Sequence, residues 1–128
     1  MIVGIGIDAV EVEKCAQWAQ QPPHTLERVF SPAEISYSFA QPRLTAQRLA
    51  ARFAAREAFF KALAQANLAH NIPFLTLCKR VEVTKAFAGA PMLTVDWQRL
   101  IHDARQPIVL LSLTHTSSLA MAYVLLHY

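Results

Sequence analysis

Residues 52–63 read Arg-Phe-Ala-Ala-Arg-Glu-Ala-Phe-Phe-Lys-Ala-Leu and form the centre of the longest helical pattern in the chain. The pattern extends from about Arg43 to Asn67 and is rich in residues that favour helix. At about 100° per residue, large apolar side chains form one stripe and alanines cover the opposite side: Leu49, Phe53, Phe60 and Leu63 against Ala50, Ala51, Ala54, Ala55, Ala58 and Ala62. A helix that is apolar nearly all round belongs in a packed interior or at a subunit interface. We therefore expect the fold to be organised around this helix.

The charged residues of the helix lie on two edges. Arg48, Arg52 and Arg56 follow one edge at intervals of four, where like charges repel unless solvent or an anion relieves them, and we expect a solvated edge. Glu57 and Lys61 are four apart on another edge. The helix alone leaves two interpretations of this pair open: an ordinary ion pair worth about 0.3 kcal/mol, or charges retained for function.

The first residues contain a second pattern, Gly4-x-Gly6-x-x-Ala9, after an apolar strand predicted for residues 2–7. This is the outline of a dinucleotide-binding turn. Asp8, however, would put a carboxylate against the pyrophosphate that such a turn binds. Either no phosphate binds here or a cation lies between. A helix is predicted for residues 8–20 with Asp8 and Glu11 at the spacing of a capping box, so helix capping is the alternative role of Asp8.

The remaining elements are short. Ser31 is predicted to cap a helix that has Pro32 at its first position. The later part of the chain gives strands at 74–78, 80–87 and 92–96, a turn at 89–91, a short helix from Asp96 to about Arg105, and two core strands joined by a polar turn at 114–118. This order predicts a single domain, residues 1–128, of the α+β class, with a small and mainly antiparallel sheet packed on the long helix.

Composition excludes several classes of protein. A formal charge of +3 with only 16% charged residues does not indicate a broad basic surface that binds nucleic acid. Residues 107–128 carry no Asp, Glu, Lys or Arg, but the polar turn in their middle argues against a membrane helix. Cys15 and Cys78, without a signal peptide, indicate reduced thiols and a cytoplasmic protein. The shortage of polar residues predicts that some surface is buried against other subunits.

Four segments, in order and spacing, resemble the holo-acyl-carrier-protein synthase family of phosphopantetheinyl transferases: GIGIDAVEVEK, ERVFSPAEI, RFAAREAFFKAL and LSLTHTSSLAMAYV. The resemblance covers nearly the whole chain. It implies the fold of that family and transfer of the phosphopantetheine arm of coenzyme A to a serine of an acyl carrier protein, with release of adenosine 3',5'-bisphosphate. Coenzyme A would be the co-substrate and Mg²⁺ the cofactor. Such an ion explains how a carboxylate and a pyrophosphate share one site.

The resemblance also implies roles for individual residues. Asp8 and Glu57 would bind the magnesium ion, and Lys61 would contact phosphate. Thr114 and His115 match a Ser/Thr-His segment near the coenzyme A phosphates, so the implied catalytic set is Glu57, Lys61 and His115. An alternative for His115 is a surface histidine without function. The base that accepts the serine proton stays open between Glu57, a metal-bound water and His115.

Partners are implied in the same way. Acidic acyl carrier proteins would dock on basic residues of the first helix, where Lys14 stands in place of the usual arginine, with Arg28 as a further candidate. Family members are typically homotrimers with active sites between subunits. The chain departs from the family pattern after Leu63, where AQANLAHN replaces a Gly-Thr-Gly continuation, and at Arg56, where lysine is common. A non-catalytic module that docks an acidic protein is the alternative function, whereas a nucleotide-binding oxidoreductase would need a longer chain.

Overall fold

The long helix exists and lies across one face of an antiparallel sheet. The computed structural model describes residues 1–102 and 105–128. Its helices are α1 (Val12–Ala19), α2 (Pro32–Phe39), α3 (Thr45–Gln65), α4 (Phe74–Cys78) and α5 (Trp97–Leu100). Its strands are β1 (Ile2–Glu11), β2 (Val81–Lys85), β3 (Pro91–Val95), β4 (Ile108–His115) and β5 (Leu119–His127). Strands β1, β5 and β4 form one sheet in that order and β2 and β3 form a second, all antiparallel, so the predicted α+β class is confirmed.

Two glycines let β1 lie directly on α3. A Cβ atom added to Gly6 would lie 1.8 Å from the carbonyl oxygen of Ala58, and one added to Gly4 would lie 2.2 Å from that of Ala62. Real side chains cannot approach so closely, so only glycine allows this separation of strand and helix. The Gly-x-Gly pattern therefore serves strand–helix packing.

The predicted helix of residues 8–20 is wrong at its start. Strand β1 continues to Glu11, with Asp8 opposite Ala122 on β5, and α1 begins only at Val12. Pairing with β5 gives these residues a continuous ladder, which outweighs the local capping signal. Asp8 therefore caps no helix. The capping box of this chain is formed instead by Ser31 and Glu34 at the start of α2, as predicted for Ser31.

Residues 74–78 form α4 and not the predicted strand. Phe74 is half-buried while Leu77 and Cys78 are buried, which is the i, i+3, i+4 spacing of a helix. The ring of Phe74 lies 5.8 Å from that of Phe53 and 5.7 Å from that of Phe60, so the segment covers the apolar stripe of α3. The short helix predicted from Asp96 to about Arg105 is present as α5, but it ends at Leu100 because Ile101 is extended, so the predicted end is wrong; residues 103 and 104 lie outside the described residues.

The arginine edge of α3 is largely buried, so the expected solvated edge is wrong for Arg52 and Arg56. The guanidinium of Arg56 donates to both carboxylate oxygens of Glu34, a residue of α2 that is equally buried. Arg56 also donates to the carbonyl oxygen of Val81, while Glu34 accepts from the backbone N–H of Val83, both at 3.0 Å. Burial alone would raise the pKa of Glu34, but the bonds and charge of Arg56 lower it overall. This pair ties α2, α3 and β2 together.

The segment after α3 turns without glycine. Asn67 has a φ of 63°, and the N–H groups of Asn67 and Leu68 donate to the carbonyl oxygens of Ala64 and Leu63 at 3.1 and 2.9 Å. This is the Schellman arrangement, which needs a left-handed residue after the helix. Asparagine tolerates that conformation better than most residues do. Asn71, with a φ of 58°, is a second left-handed residue in the same loop.

The two closing strands are confirmed as β4 and β5. Thr116 Oγ1 accepts from the N–H groups of Ser118 and Leu119 and so closes the turn between them. Within the part of the chain that the structure describes, no helix has the length and apolar character needed to cross a membrane. Cys15 and Cys78 are both free and buried.

The close approach at Gly6 predicts an unusually costly substitution. Gly6→Ala places a Cβ against backbone that cannot move aside, so we expect the free energy of unfolding to fall by about 3 kcal/mol or more. The control is Gly89→Ala, where φ is +83° but no atom lies within 4 Å of an added Cβ; it should cost only about 1–2 kcal/mol. Urea unfolding followed by circular dichroism measures both. Equal losses for the two variants would contradict the packing role of Gly6.

Candidate active site

Three residues singled out in the sequence meet where β1 lies on α3. The ammonium of Lys61 donates to Asp8 Oδ1 and to the carbonyl oxygen of Ile7, both at 3.0 Å. Glu57 lies one turn earlier on α3 and is half-buried. Asp8 reaches them because Gly4, Gly6 and Asp8 alternate onto the helix-facing side of β1. Strand and helix thus bring Asp8, Glu57 and Lys61 together from opposite sides.

The carboxylates of this cluster influence one another. Burial raises the pKa of Glu57, the negative charge of Asp8 raises it further, and Lys61 lowers it in part. The side chain of Asp8 is only 17% exposed, and Lys61 forms its ion pair with Asp8 and not with its helix neighbour Glu57. The ammonium of Lys61 is hydrogen-bonded to Asp8 and acts on Glu57 only through its charge. The cluster still favours additional positive charge.

The donor set fits a magnesium ion. Mg²⁺ prefers oxygen ligands and is commonly held by one or two carboxylates together with substrate phosphates and water. Within residues 1–102 and 105–128, no group of three or more His, Cys, Asp and Glu side chains could hold a metal by itself. Asp8 and Glu57 match the smaller set, because a phosphate-bearing substrate would supply further oxygens.

His115 belongs to a second cluster. It ends β4, and its Nδ1 atom lies 2.7 Å from the amide nitrogen of Gln47, which also donates to the carbonyl oxygen of Thr116 at 2.9 Å. Gln47 lies in the first turn of α3, ten residues before Glu57, which is about 15 Å along the helix axis. Within one chain, the structure does not bring His115 to the Asp8 cluster.

His115 and Gln47 line a cavity of about 400 Å³ between α2, α3, the β2–β3 hairpin and β4. Three cations surround one aromatic ring in its wall. The guanidinium carbons of Arg48 and Arg52 lie 4.0 and 4.5 Å from the ring centre of Tyr37, and the ammonium of Lys85 lies 4.8 Å from it. Such cation–π contacts hold the positive charges in place. We call this space the Tyr37 cavity, and its cations favour an anionic ligand.

The other predicted residues lie apart from both clusters. Thr114 is exposed on the face of β4 that Ser112 also occupies, opposite to His115, as strand alternation predicts. Lys14 is exposed on α1. Arg28 ends a 3₁₀ turn and lines a shallow surface depression that Lys79 also borders.

The outer face of the three-stranded sheet, on the side away from α3, is strongly apolar. Five large apolar residues on it are 41 to 56% exposed: Ile5, Ile7, Ile108, Leu110 and Tyr123. They are contiguous, because Ile7 lies opposite Tyr123 and Leu110 lies opposite the residue that pairs with Ile5. An apolar patch of this kind marks an interaction surface.

Most residues that line the Tyr37 cavity were not predicted from the sequence. Arg48 and Arg52 were predicted only to form a charged edge of α3, and no sequence pattern predicted a role for Gln47. Tyr37 and Lys85 come from α2 and β2, far from each other in the sequence. Because these elements pack on one side of α3 only after folding, no local pattern could reveal the grouping.

Known proteins resemble this chain in sequence and in fold. Residues 4–124 match the family model of the 4'-phosphopantetheinyl transferase superfamily. A holo-[acyl-carrier-protein] synthase of Anaeromyxobacter sp. (strain K) is 39% identical over 135 residues, covering 98% of this chain and 96% of the relative. A holo-(acyl-carrier-protein) synthase from Bacillus anthracis in complex with CoA (3',5'-ADP) has a TM-score of 0.74 at 29% identity, covering 98% and 96% of the two chains. The Helicobacter pylori holo-[acyl-carrier-protein] synthase in complex with coenzyme A has a TM-score of 0.72 at 26% identity, covering 96% and 99%.

The chain belongs to the 4'-phosphopantetheinyl transferase superfamily and has its enzyme fold. Within that superfamily, relatives that match it along nearly their whole length include holo-[acyl-carrier-protein] synthases of Cytophaga hutchinsonii and Anaeromyxobacter sp. (strain K). The family resemblance of the sequence is thereby confirmed.

The coupling of the two carboxylates predicts how Glu57 titrates. Asp8→Asn removes a neighbouring negative charge and should lower the pKa of Glu57, whereas Lys61→Met removes a positive charge and should raise it further. Because burial and the charge of Asp8 raise its pKa, Glu57 gains its proton at a higher pH than an exposed glutamate does. Carboxyl ¹³C NMR without metal measures both shifts, with exposed Glu13 as the control. A Glu57 titration that neither variant moves would contradict the coupling.

Proposed function

We propose that this protein transfers the phosphopantetheine arm of coenzyme A to a serine hydroxyl of an apo acyl carrier protein, with Mg²⁺ held by Asp8 and Glu57. The observation that carries the proposal is the cluster of Asp8, Glu57 and Lys61, built on a strand and a helix in a chain of this superfamily. Two half-buried carboxylates beside a lysine suit a metal–pyrophosphate complex. The coenzyme A complexes of the two related structures support the choice of co-substrate.

The reaction assigns a task to each group. The serine oxygen forms a bond to the phosphorus that carries pantetheine, the bond from that phosphorus to the bridging oxygen breaks, and adenosine 3',5'-bisphosphate leaves. When bound, Mg²⁺ would polarise the phosphate and offset charge on the leaving group. Lys61 is half-exposed, so its ammonium can turn from Asp8 toward a phosphate oxygen. Glu57, which lies in the same cluster as Asp8 and Lys61, is a candidate to accept the serine proton.

We propose that the nucleotide end of coenzyme A binds in the Tyr37 cavity. Coenzyme A carries a 3'-phosphate in addition to its pyrophosphate, so it needs a second cationic site. Arg48, Lys85 and His115 line the cavity and offer donors to such a phosphate. We assign the 3'-phosphate to these residues.

We further propose that the active enzyme is a homotrimer with active sites between subunits. The Asp8 cluster and the Tyr37 cavity are separated within one chain, and the outer sheet face is apolar enough to pack against other copies. Thr114, on that outer face, would reach coenzyme A bound by a neighbouring subunit.

The assembly has a direct test. Sedimentation should give a trimer for the natural chain and monomers for Tyr123→Glu, because a charge on the outer sheet face opposes packing. Mixing the inactive variants Glu57→Gln and Arg48→Met should restore some activity if each site takes residues from two chains. A monomeric natural chain with full activity would refute the trimer.

Lys14 and Arg28 are proposed to dock the acidic carrier protein. Their exposure allows electrostatic steering, which weakens as salt rises. Lys14→Glu should raise the KM for the carrier without changing that for coenzyme A, and Lys14→Arg, which adds bidentate geometry, should lower it. A carrier KM that neither salt nor Lys14→Glu changes would rule out this surface.

The transfer reaction itself is tested by intact-protein mass spectrometry. An apo acyl carrier protein incubated with this enzyme and coenzyme A should gain one phosphopantetheine group with magnesium and none with a chelator. Asp8→Asn and Glu57→Gln should each abolish the gain, because each removes a carboxylate ligand of the proposed ion. Glu13→Gln, which changes an exposed carboxylate of α1, is the matched control and should retain it.

Two outcomes would overturn the assignment. A gain that persists with the chelator would remove the metal from the proposal. Carrier binding without any gain, for several carrier proteins, would favour the non-catalytic docking module.

A further inference from the structure

The side-chain amide of Gln47 fixes the chemical state of His115. Its nitrogen lies 2.9 Å from the carbonyl oxygen of Thr116 and 2.7 Å from Nδ1 of His115. A backbone carbonyl oxygen only accepts hydrogen bonds, so the amide must present its NH₂ group to Thr116. The same NH₂ group then faces Nδ1, and Nδ1 must accept. A neutral imidazole that accepts at one nitrogen carries its proton on the other.

We propose that Gln47 is a positioning residue that keeps the proton of the neutral His115 ring on Nε2, so that His115 donates a hydrogen bond to a phosphate of coenzyme A. The assignment of the acceptor rests on the function proposed above. The position of the ring proton does not depend on that function, because it follows from the two contacts of Gln47.

The alternative state of the ring is opposed by geometry. A proton on Nδ1 would point at the NH₂ group of Gln47. Turning the amide over would place its oxygen against the carbonyl oxygen of Thr116, and either arrangement leaves one repulsive contact.

This state decides between two roles that the sequence left open for His115. A ring protonated on Nε2 offers a donor there and uses Nδ1 as an acceptor toward Gln47. No described residue bonds to Nε2, so this N–H is available to a ligand of the cavity. His115 therefore has no free acceptor for the serine proton, which leaves Glu57 or a metal-bound water as the base.

The ring state is measured by ¹⁵N NMR of histidine-labelled protein without coenzyme A. In the natural chain, the neutral ring of His115 should carry its proton on Nε2. Gln47→Glu, which offers an acceptor to Nδ1, should move the proton to Nδ1, and Gln47→Met should give a mixture of both forms. His24, exposed and distant in sequence, serves as the internal control. A natural chain protonated on Nδ1, or an unchanged pattern in Gln47→Glu, would overturn the role of Gln47.

The donor role is tested by calorimetric binding of coenzyme A. In His115→Gln, the amide nitrogen can lie close to the position of the histidine Nε2 atom. In His115→Asn, the shorter side chain places it near the position of Nδ1. We expect His115→Asn to weaken binding about tenfold, since a hydrogen bond to a charged phosphate is lost, and His115→Gln to restore most of it. Equal losses in the two variants would overturn the donor role. Absence of coenzyme A binding by the natural chain would refute the proposed function, while the NMR result would still report on Gln47.

Discussion

The contact of β1 with α3 is the constraint on which the rest of the structure depends. Gly4 and Gly6 bring the strand against the carbonyl oxygens of Ala62 and Ala58, closer than any side chain would allow. Because the strand lies so near the helix, the next residue on the same face, Asp8, projects past it toward Lys61. A hydrogen-bonded ion pair then forms between two elements that are more than fifty residues apart. The packing of the core and the assembly of the charged cluster are thus one geometric event.

The helix that accepts the strand also organises the second half of the molecule. Its alanine side meets the sheet, its aromatic stripe is covered by α4, and its buried Arg56 is held by Glu34 from α2. A buried arginine would be costly alone, and the bidentate pair with further backbone bonds offsets this cost. The first turn of α3 carries Gln47 and faces the Tyr37 cavity, while its second half carries Glu57. The single helix α3 therefore sets the distance between the Tyr37 cavity and the Asp8 cluster.

Much of this arrangement was predictable, and the failures have physical causes. The periodicity of residues 52–63 predicted α3, and the family motifs predicted the Asp8, Glu57 and Lys61 set. The predicted start of α1 was wrong because pairing with β5 extends β1 through Asp8. The prediction of a solvated arginine edge was wrong because the carboxylate that pairs with Arg56, that of Glu34, lies on another element. The Tyr37 cavity could not be predicted, because its walls come from segments that share no local pattern.

The loop after α3 has a consequence for the unfolded chain. Only three glycines occur in 128 residues: two serve the contact with α3 and one lies in the β2–β3 hairpin. The left-handed turns after α3 fall to Asn67 and Asn71. An unfolded asparagine explores less backbone space than an unfolded glycine does, so less conformational entropy is lost when this loop becomes ordered. The left-handed conformation strains asparagine in the folded state, but the lower conformational entropy of the unfolded chain offsets part of this cost.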